Sequence, residues 1–365
     1  MKKVLFIIPT LTNGGAERVA SIIANSLCDS FDVSFFLLEQ DKKTSYEINP
    51  RIKVASALEN VPKRGNKLST VFAYFKRFSS QYKLLCKELL NNKPEYVISF
   101  LPKADMLAYK AKLHFSFKWI TSERNDPTVR SLFERIVLRH IYKKTDCLVC
   151  QTNVVAKYYQ EYGVRNCEVI SNPLNDGVVL NENIPYSDYA IAVGRFDAQK
   201  NYKMLIKAFV DAAKKVQSKT KLVILGDGPL LQECKDMVEQ TGVQEQILLL
   251  GRKVNVGDFL RKAKFFIMSS NYEGMPNALI EAMNAKLPVI CTDFFTGAAR
   301  ELISNENGVL VPVDDKEKMT DAIANMLKKS DAVLKEMGFH SLVKVSCMDS
   351  AKICKKWIDL ISNIA

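Results

Sequence analysis

Two glutamates, Glu273 and Glu281, bracket a short stretch reading GMPNALI. Carboxylates at such positions can bind ligand hydroxyls. Pro276 suits the first turn of a helix, having no N–H to lose and a φ already helical. Asn277 to Ala285 are good helix formers, and Pro288 ends the run. Glu273 therefore falls in the loop entering the helix and Glu281 on its body. Gly274 permits a close backbone approach. The N–H groups around Asn277, Ala278 and Leu279 are first-turn donors, which attract anions and phosphate above all. A phosphorylated ligand that also carries hydroxyls, such as a nucleotide sugar, would suit the pattern. The same two glutamates also read as a dipole-complementing carboxylate and a solvated surface residue, so the rest of the chain must decide.

Three glycine-containing turns follow apolar runs. VGRFDAQKN places Arg195 and Lys200 in one loop, where a cation pair can neutralise a diphosphate both when bound and as it leaves. IPTLTNGGAER carries Gly14 and Gly15 before a helix opening at Ala16, and LGDGPL carries Gly226. Neither has the GxGxxG spacing of a dinucleotide fingerprint, which argues against a nicotinamide enzyme. Cys147 and Cys150 have CxxC spacing, but lie three apart in a strand-like run and so point to opposite faces. No second pair or nearby histidine completes a metal site, and they read as core.

The elements that must position these residues are apolar runs alternating with helical patterns. KVLFII, VSFFLL, YVISF, WITSE, CLVCQ and CEVIS occupy the first half; YAIAVG, KLVILG, ILLLG, FFIMS, PVICT and GVLVP the second. Continuous apolar strands between helices indicate parallel sheets covered on both faces. Helices are expected from Tyr202, from Pro229 and around Pro276. The chain has 365 residues, and at roughly 100–200 residues per domain two doubly wound domains are expected. The turn-rich run Asn172 to Gly177 reads as a linker. The domains are read as 1–174, 175–345 and a C-terminal helix over 346–365, which either caps the second domain or packs back onto the first. Ligands of such sheets bind at the carboxyl ends of strands, so the facing domains would enclose the site.

The chain carries a formal charge of +12, and it is uneven. Residues 1–180 hold 27 Lys and Arg against 17 Asp and Glu; residues 181–365 hold 25 against 23. A basic first half suits nucleic acid, an anionic membrane or a phosphorylated substrate, although no nucleic-acid module is recognisable. No apolar run reaches the ~18 residues of a spanning helix. MKKVLFIIPT reads as a buried first strand rather than a signal peptide, and nine scattered cysteines fit reduced thiols, so a cytoplasmic protein is expected. Residues 63–90 read as a long basic helix. Leu68, Val71, Phe72, Phe75, Tyr82, Leu85 and Leu89 form its apolar stripe, and Lys63, Arg64, Lys67, Lys76 and Arg77 cluster at one end. Such a helix can rest on anionic lipid.

GRFDAQKN, GDGP, SNYEGMPNALIEAMNAKLPVICTD, GAARELI and NGVLVP together resemble the second domain of the retaining glycosyltransferases of family 4, and FIIPTLTNGGAERVASIIANSL resembles their first. The resemblance covers nearly the whole chain and is strongest over residues 190–312. It implies the GT-B fold, α/β with two Rossmann-like domains and a deep inter-domain cleft. It implies that Glu273 contacts the donor sugar near the reacting carbon and that Glu281 binds the ribose hydroxyls. Backbone groups of Gly274, Met275, Asn277, Ala278 and Leu279 would hold sugar and phosphates. Arg195 and Lys200 would stabilise the leaving diphosphate, Gly15 and Gly226 would lie near the donor, and Arg252 near the base. Many relatives carry a first-domain histidine near the donor sugar. Here the corresponding stretch is TSERNDP, with Arg124 at that place and Glu123 and Asn125 beside it as acceptor or donor contacts; His114 and His140 do not match. The family needs no metal, and the chain has no Asp-x-Asp pair.

The expected activity is transfer of a hexose or N-acetylhexosamine from a UDP-sugar to a polyprenyl-diphosphate-linked glycan, forming an α bond. The expected location is peripheral, on the cytoplasmic face of the inner membrane, at an anionic lipid surface and without nucleic acid. A nucleotide-sugar epimerase of the same fold, and a non-enzymatic anion- or membrane-binding protein, are the alternatives.

Overall fold

A computed structural model describes residues 1–12, 14–39, 44–57, 67–174 and 184–364, the side chains of 67–72 apart. The chain divides into two compact units, Met1–Pro173 with Ser350–Ala365, and Leu174–Asp349.

The first unit holds strands β1 (Lys3–Ile8), β2 (Asp32–Leu37), β3 (Lys53–Ser56), β4 (Tyr96–Phe100), β5 (Lys118–Ser122), β6 (Cys147–Cys150) and β7 (Cys167–Val169). Its helices are α1 (Gly15–Leu27), α2 (Lys67–Asn92), α3 (Pro102–Lys112), α4 (Leu132–Tyr142) and α5 (Asn153–Glu161). All strands are parallel in the order β3-β2-β1-β4-β5-β6-β7. The sheet is covered on both sides, so its central strands β1 and β4 are buried at nearly every position. Phe6, Ile98 and Cys147 pack beneath α1, whereas Leu5, Val97 and Cys150 pack beneath α2 to α5. The two cysteines of the CxxC run thus sit on opposite faces, both buried.

The second unit holds β8 (Tyr189–Val193), α6 (Tyr202–Val216), β9 (Lys221–Leu225), α7 (Leu231–Gln240), β10 (Ile247–Leu249), α8 (Val256–Lys262), β11 (Phe266–Met268), α9 (Asn277–Asn284), β12 (Val289–Thr292), α10 (Ala298–Leu302), β13 (Gly308–Val311), α11 (Lys316–Leu327) and α12 (Asp331–Val345). Its parallel sheet runs β10-β9-β8-β11-β12-β13. Helices α6, α7 and α11 cover one face, and α8, α9 and α10 the other. In both sheets the order reverses next to the first strand. In the second unit that switch point lies between β8 and β11, where ligands of doubly wound sheets bind.

The last helix, α13 (Ser350–Asn363), belongs to the first unit and packs on α1. Its Trp357 is fully buried and stacks on Phe100, with ring centroids 6.2 Å apart. Three local expectations shift. Helix α7 starts two residues after Pro229, because the chain first turns through Pro229 and Leu230. Phe75, expected in a core stripe, is 65% exposed. Leu85 and Leu89 of that stripe are buried, while Lys63 and Arg64, and the side chains of Lys67, Leu68, Val71 and Phe72, lie outside the description. Asn172, expected in a loose linker, is buried and hydrogen-bonded; residues 175–177 lie outside the described residues.

Candidate active site

The loop after β8 and the loop after β11 form one hydrogen-bonded block. Asn271 donates its backbone N–H to the Gln199 carbonyl at 2.7 Å and its amide to the Ala198 carbonyl at 2.9 Å. Gln199 returns a bond from its amide to the Tyr272 carbonyl at 2.9 Å. Asn201, in the left-handed region at φ 49°, donates to Asn271 Oδ1 at 3.0 Å. The chain thereby brings Lys200 onto Glu273, 73 residues away, as an ion pair. Ser270 Oγ donates to the same carboxylate oxygen at 2.8 Å. Thr296 Oγ1 donates to the carbonyls of Glu273 and Gly274 at 3.0 and 2.8 Å, holding the loop from beneath. An added Cβ at Gly194 would lie 2.8 Å from Lys200 Cε and from the Tyr202 hydroxyl, so a larger residue there would push on both side chains.

Helix α9 follows this loop directly. Pro276 occupies its N-cap rather than its first turn, and no side chain caps it. The N–H groups of Leu279 and Ile280 donate to the Pro276 carbonyl. Met275 and Leu279 are buried, with Ile280, Ala282 and Met283, against the core. Asn277, Ala278 and Glu281 share the opposite, half-buried face, as positions three and four apart must. The positive end of the helix and the Lys200–Glu273 ion pair are thus grouped at the carboxyl edge of the sheet, with Glu281 about one turn into the helix. That grouping can hold phosphate and orient sugar hydroxyls.

Arg195 is in the same loop but turns away from the pair. It is exposed and bonds Asp197 at 2.9 Å. Gly226, at φ 147°, is where β9 turns against β8: a Cβ there would come within 1.8 Å of the Gly194 carbonyl oxygen. Its N–H donates to the Gly251 carbonyl at 2.9 Å, and Arg252 is exposed beside that. An open cavity of about 740 Å³ lies in the same unit, lined by Asp188, Lys264, Lys286 and Asp331 among others. Asp188 precedes β8, so the cavity is at the amino end of the sheet. Lys264 there is ion-paired with Asp188 and Asp331.

In the first unit, Gly15 opens α1 and is exposed, and the Gly14 carbonyl accepts from Tyr46 at 2.8 Å. Glu17 already places a carboxylate in that first turn. The TSERNDP stretch leaves β5. Glu123 turns inward rather than out to a ligand: Arg130 forks onto both its oxygens, Tyr159 donates at 2.6 Å, and the Arg124 and Asn125 N–H groups complete it. Burial would raise its carboxyl, but the Arg130 charge and these bonds hold it below its ordinary value. Glu123 therefore shapes the loop. Arg124 lies over the rings of Phe100, at 4.9 Å, and Trp357, at 5.9 Å, and donates to Asn172 Oδ1 at 2.8 Å. Its Nε and Nη2 have no hydrogen-bond partner among the described residues, and burial, partly offset by Glu123, pulls its guanidinium down to about 9. Asn125 accepts from the Asp126 N–H. His114 and His140 are exposed; His140 meets Tyr109 edge-on.

Sequence reading missed Gln199, Asn271 and Thr296, whose bonds depend on chain closure, and Ser270, which holds Glu273 from three residues away. It also missed Asp105. This fully buried carboxylate on α3 accepts from Ser99 and Thr121 at 2.6 Å and from Tyr142 at 2.8 Å. Burial pushes it up to about 6, against the pull of those three donors. Among the described residues, no group of three His, Cys, Asp or Glu is placed to hold a metal ion.

Residues 13–177 match the Glycosyltransferase Family 4 model, and residues 182–338 match the Glycosyl transferases group 1 model. The chain is 29% identical to the GalNAc-α-(1→4)-GalNAc-α-(1→3)-diNAcBac-PP-undecaprenol α-1,4-N-acetyl-D-galactosaminyltransferase of Campylobacter jejuni, over 100% of this chain and 99% of that protein. It is 28% identical to a second enzyme of that organism, N-acetylgalactosamine-N,N'-diacetylbacillosaminyl-diphospho-undecaprenol 4-α-N-acetylgalactosaminyltransferase, over 97% and 98%. Among solved structures, Anabaena HepE in complex with UDP superposes with a TM-score of 0.77 at 14% identity, over 99% of this chain and 100% of that one. With two family models joined end to end on two doubly wound sheets, the chain belongs to the glycosyltransferases of GT-B fold, with a family 4 first half and a group 1 second half.

Proposed function

We propose that the protein is a retaining glycosyltransferase that moves a hexose or N-acetylhexosamine from a UDP-sugar to a polyprenyl-diphosphate-linked glycan, forming an α bond. It would work peripherally, on the cytoplasmic face of the inner membrane. The observation that carries this reading is the Lys200–Glu273 pair at the switch point, beside the start of α9. The relatives named above, which act on undecaprenol-linked N-acetylgalactosamine glycans, support the substrate class.

In this reading the diphosphate meets the α9 N-terminus, through backbone groups of Gly274, Met275, Asn277 and Ala278, and of Leu279, whose N–H is shared with the Pro276 carbonyl. Lys200 and Arg195 neutralise the charge that grows as UDP leaves, Arg195 exchanging Asp197 for phosphate. Glu273 contacts the sugar, Glu281 the ribose and Arg252 the base, while Gly226 keeps the backbone close. The bond from the anomeric carbon to the phosphate oxygen breaks, and the acceptor hydroxyl bonds that carbon on the same face. Its proton passes to the departing phosphate. Arg124 and Asn125 are assigned to substrate contact and Glu123 to positioning them. No metal takes part.

The test is transfer from UDP-GalNAc, UDP-GlcNAc, UDP-Gal and UDP-Glc to a synthetic polyprenyl-diphosphate glycan, in the presence of a chelator. Wild type is expected to extend the acceptor, and Glu273→Gln and Lys200→Met to lose about 10²–10³ in kcat, the scale of removing one preorganised charge-stabilising group. Release of free epimerised sugar, transfer abolished by the chelator, or full activity in both variants would sink the reading.

A further inference from the structure

An outward apolar display lies on neither the site nor the basic helix α2. It runs along the start of α4. Val129, Leu132, Phe133 and Ile136 are 45, 63, 78 and 56% exposed. Leu132, Phe133 and Ile136 share one face of α4, opposite the buried Leu138, Ile141 and Tyr142, and Val129 stands in the short turn before the helix. Along the same outward line the chain continues to His140, Lys143 and Lys144, all exposed. Helix α4 carries one carboxylate, Glu134, and it lies 3.7 Å from Arg130.

We infer that this face docks the protein on an anionic lipid bilayer, the apolar residues entering the headgroup boundary and the basic end meeting lipid phosphate. An apolar stripe with a cationic end is the composition that binds such surfaces. A second copy of this chain fits less well. Each copy carries a formal charge of +12, which opposes the approach of a second. No described helix is long and apolar enough to cross a membrane, so attachment is by surface. The stripe is also rigidly joined to the TSERNDP loop: Arg130, next to Val129 and only 8% exposed, is the residue that forks onto Glu123. Docking by this face would hold that loop against the lipid. The inference rests on the reading that the acceptor is lipid-linked, but its test needs no turnover.

The experiment is co-sedimentation of the full chain with vesicles of phosphatidylglycerol and phosphatidylcholine, and with phosphatidylcholine alone. UDP binding and thermal unfolding are read on the same samples. Wild type is expected to bind the anionic vesicles. Leu132→Ser with Phe133→Ser should weaken that about tenfold or more, and Lys143→Glu with Lys144→Glu should remove the preference for anionic lipid. Tyr74→Ser with Phe75→Ser, on α2, should change nothing. UDP affinity should stay unchanged in all three, which separates this surface from the donor site. The inference is overturned if wild type ignores anionic vesicles, if only the α2 variant loses binding, or if Leu132→Ser with Phe133→Ser turns a dimer into a monomer with vesicle binding intact.

Discussion

Glu281 and Asp105 are carboxylates in opposite situations. Glu281 lies on the half-buried face of α9, in register with Asn277. If it holds ribose hydroxyls, Glu281→Ala strands them, at a cost of about 1–3 kcal/mol in UDP affinity. Calorimetric titration checks this; an unchanged Kd would remove Glu281 from the site. Asp105 is fully buried and held by Ser99, Thr121 and Tyr142. Its carboxyl titrates at about 6 because it is buried, compared with 3.8 for an ordinary aspartate. The folded state therefore holds this proton more tightly than the unfolded chain. The stabilisation is fully present below about pH 4 and disappears as pH rises through about 6. Between pH 7 and pH 5 this group alone should add about 1 kcal/mol. Glu123, held below its ordinary value, works in the opposite sense and is lost as the pH falls. The measurement is the difference in unfolding free energy between wild type and Asp105→Asn across that range; two parallel curves would show that Asp105 does not titrate there.

At the scale of elements, α9 is placed by what packs on both its ends. Its N-terminal loop is held by Thr296, and α12 packs along it. The closest approach is at Gly338, where an added Cβ would lie 2.0 Å from the Lys286 carbonyl oxygen. Lys286 is itself at φ 61°, in the turn that ends α9, so neither partner can move freely. Gly338→Ala is expected to cost about 1–3 kcal/mol through overpacking, read as a lower denaturant midpoint, and to weaken UDP binding by tilting α9. Full stability in the variant would mean that the α9–α12 contact relaxes without loss.

On the scale of the whole molecule, the chain returns to its first unit. Trp357 of α13 is buried against Phe100, within reach of Arg124. Trp357→Ala should cost about 3–5 kcal/mol and loosen Arg124, detectable as a lower unfolding midpoint; unaltered stability would show α13 to be dispensable. Much of this architecture is legible in the sequence. Continuous apolar strands betray a sheet buried on both faces, and the GMPNALI stretch locates the start of α9 to within a residue. Spacing even tells that Cys147 and Cys150 face opposite ways. These are local properties, dictated by backbone periodicity and by proline's missing N–H. The sequence by itself determined the elements, the fold class and the residue types at the switch point. Only the tertiary structure decided that Lys200 meets Glu273, that Arg195 turns to Asp197 and that Glu123 is spent on Arg130. It also decided which face of α4 is left outside. Those outcomes depend on groups up to 73 residues apart meeting in a closed chain, where burial and hydrogen-bond satisfaction select one partner among several of equal local merit.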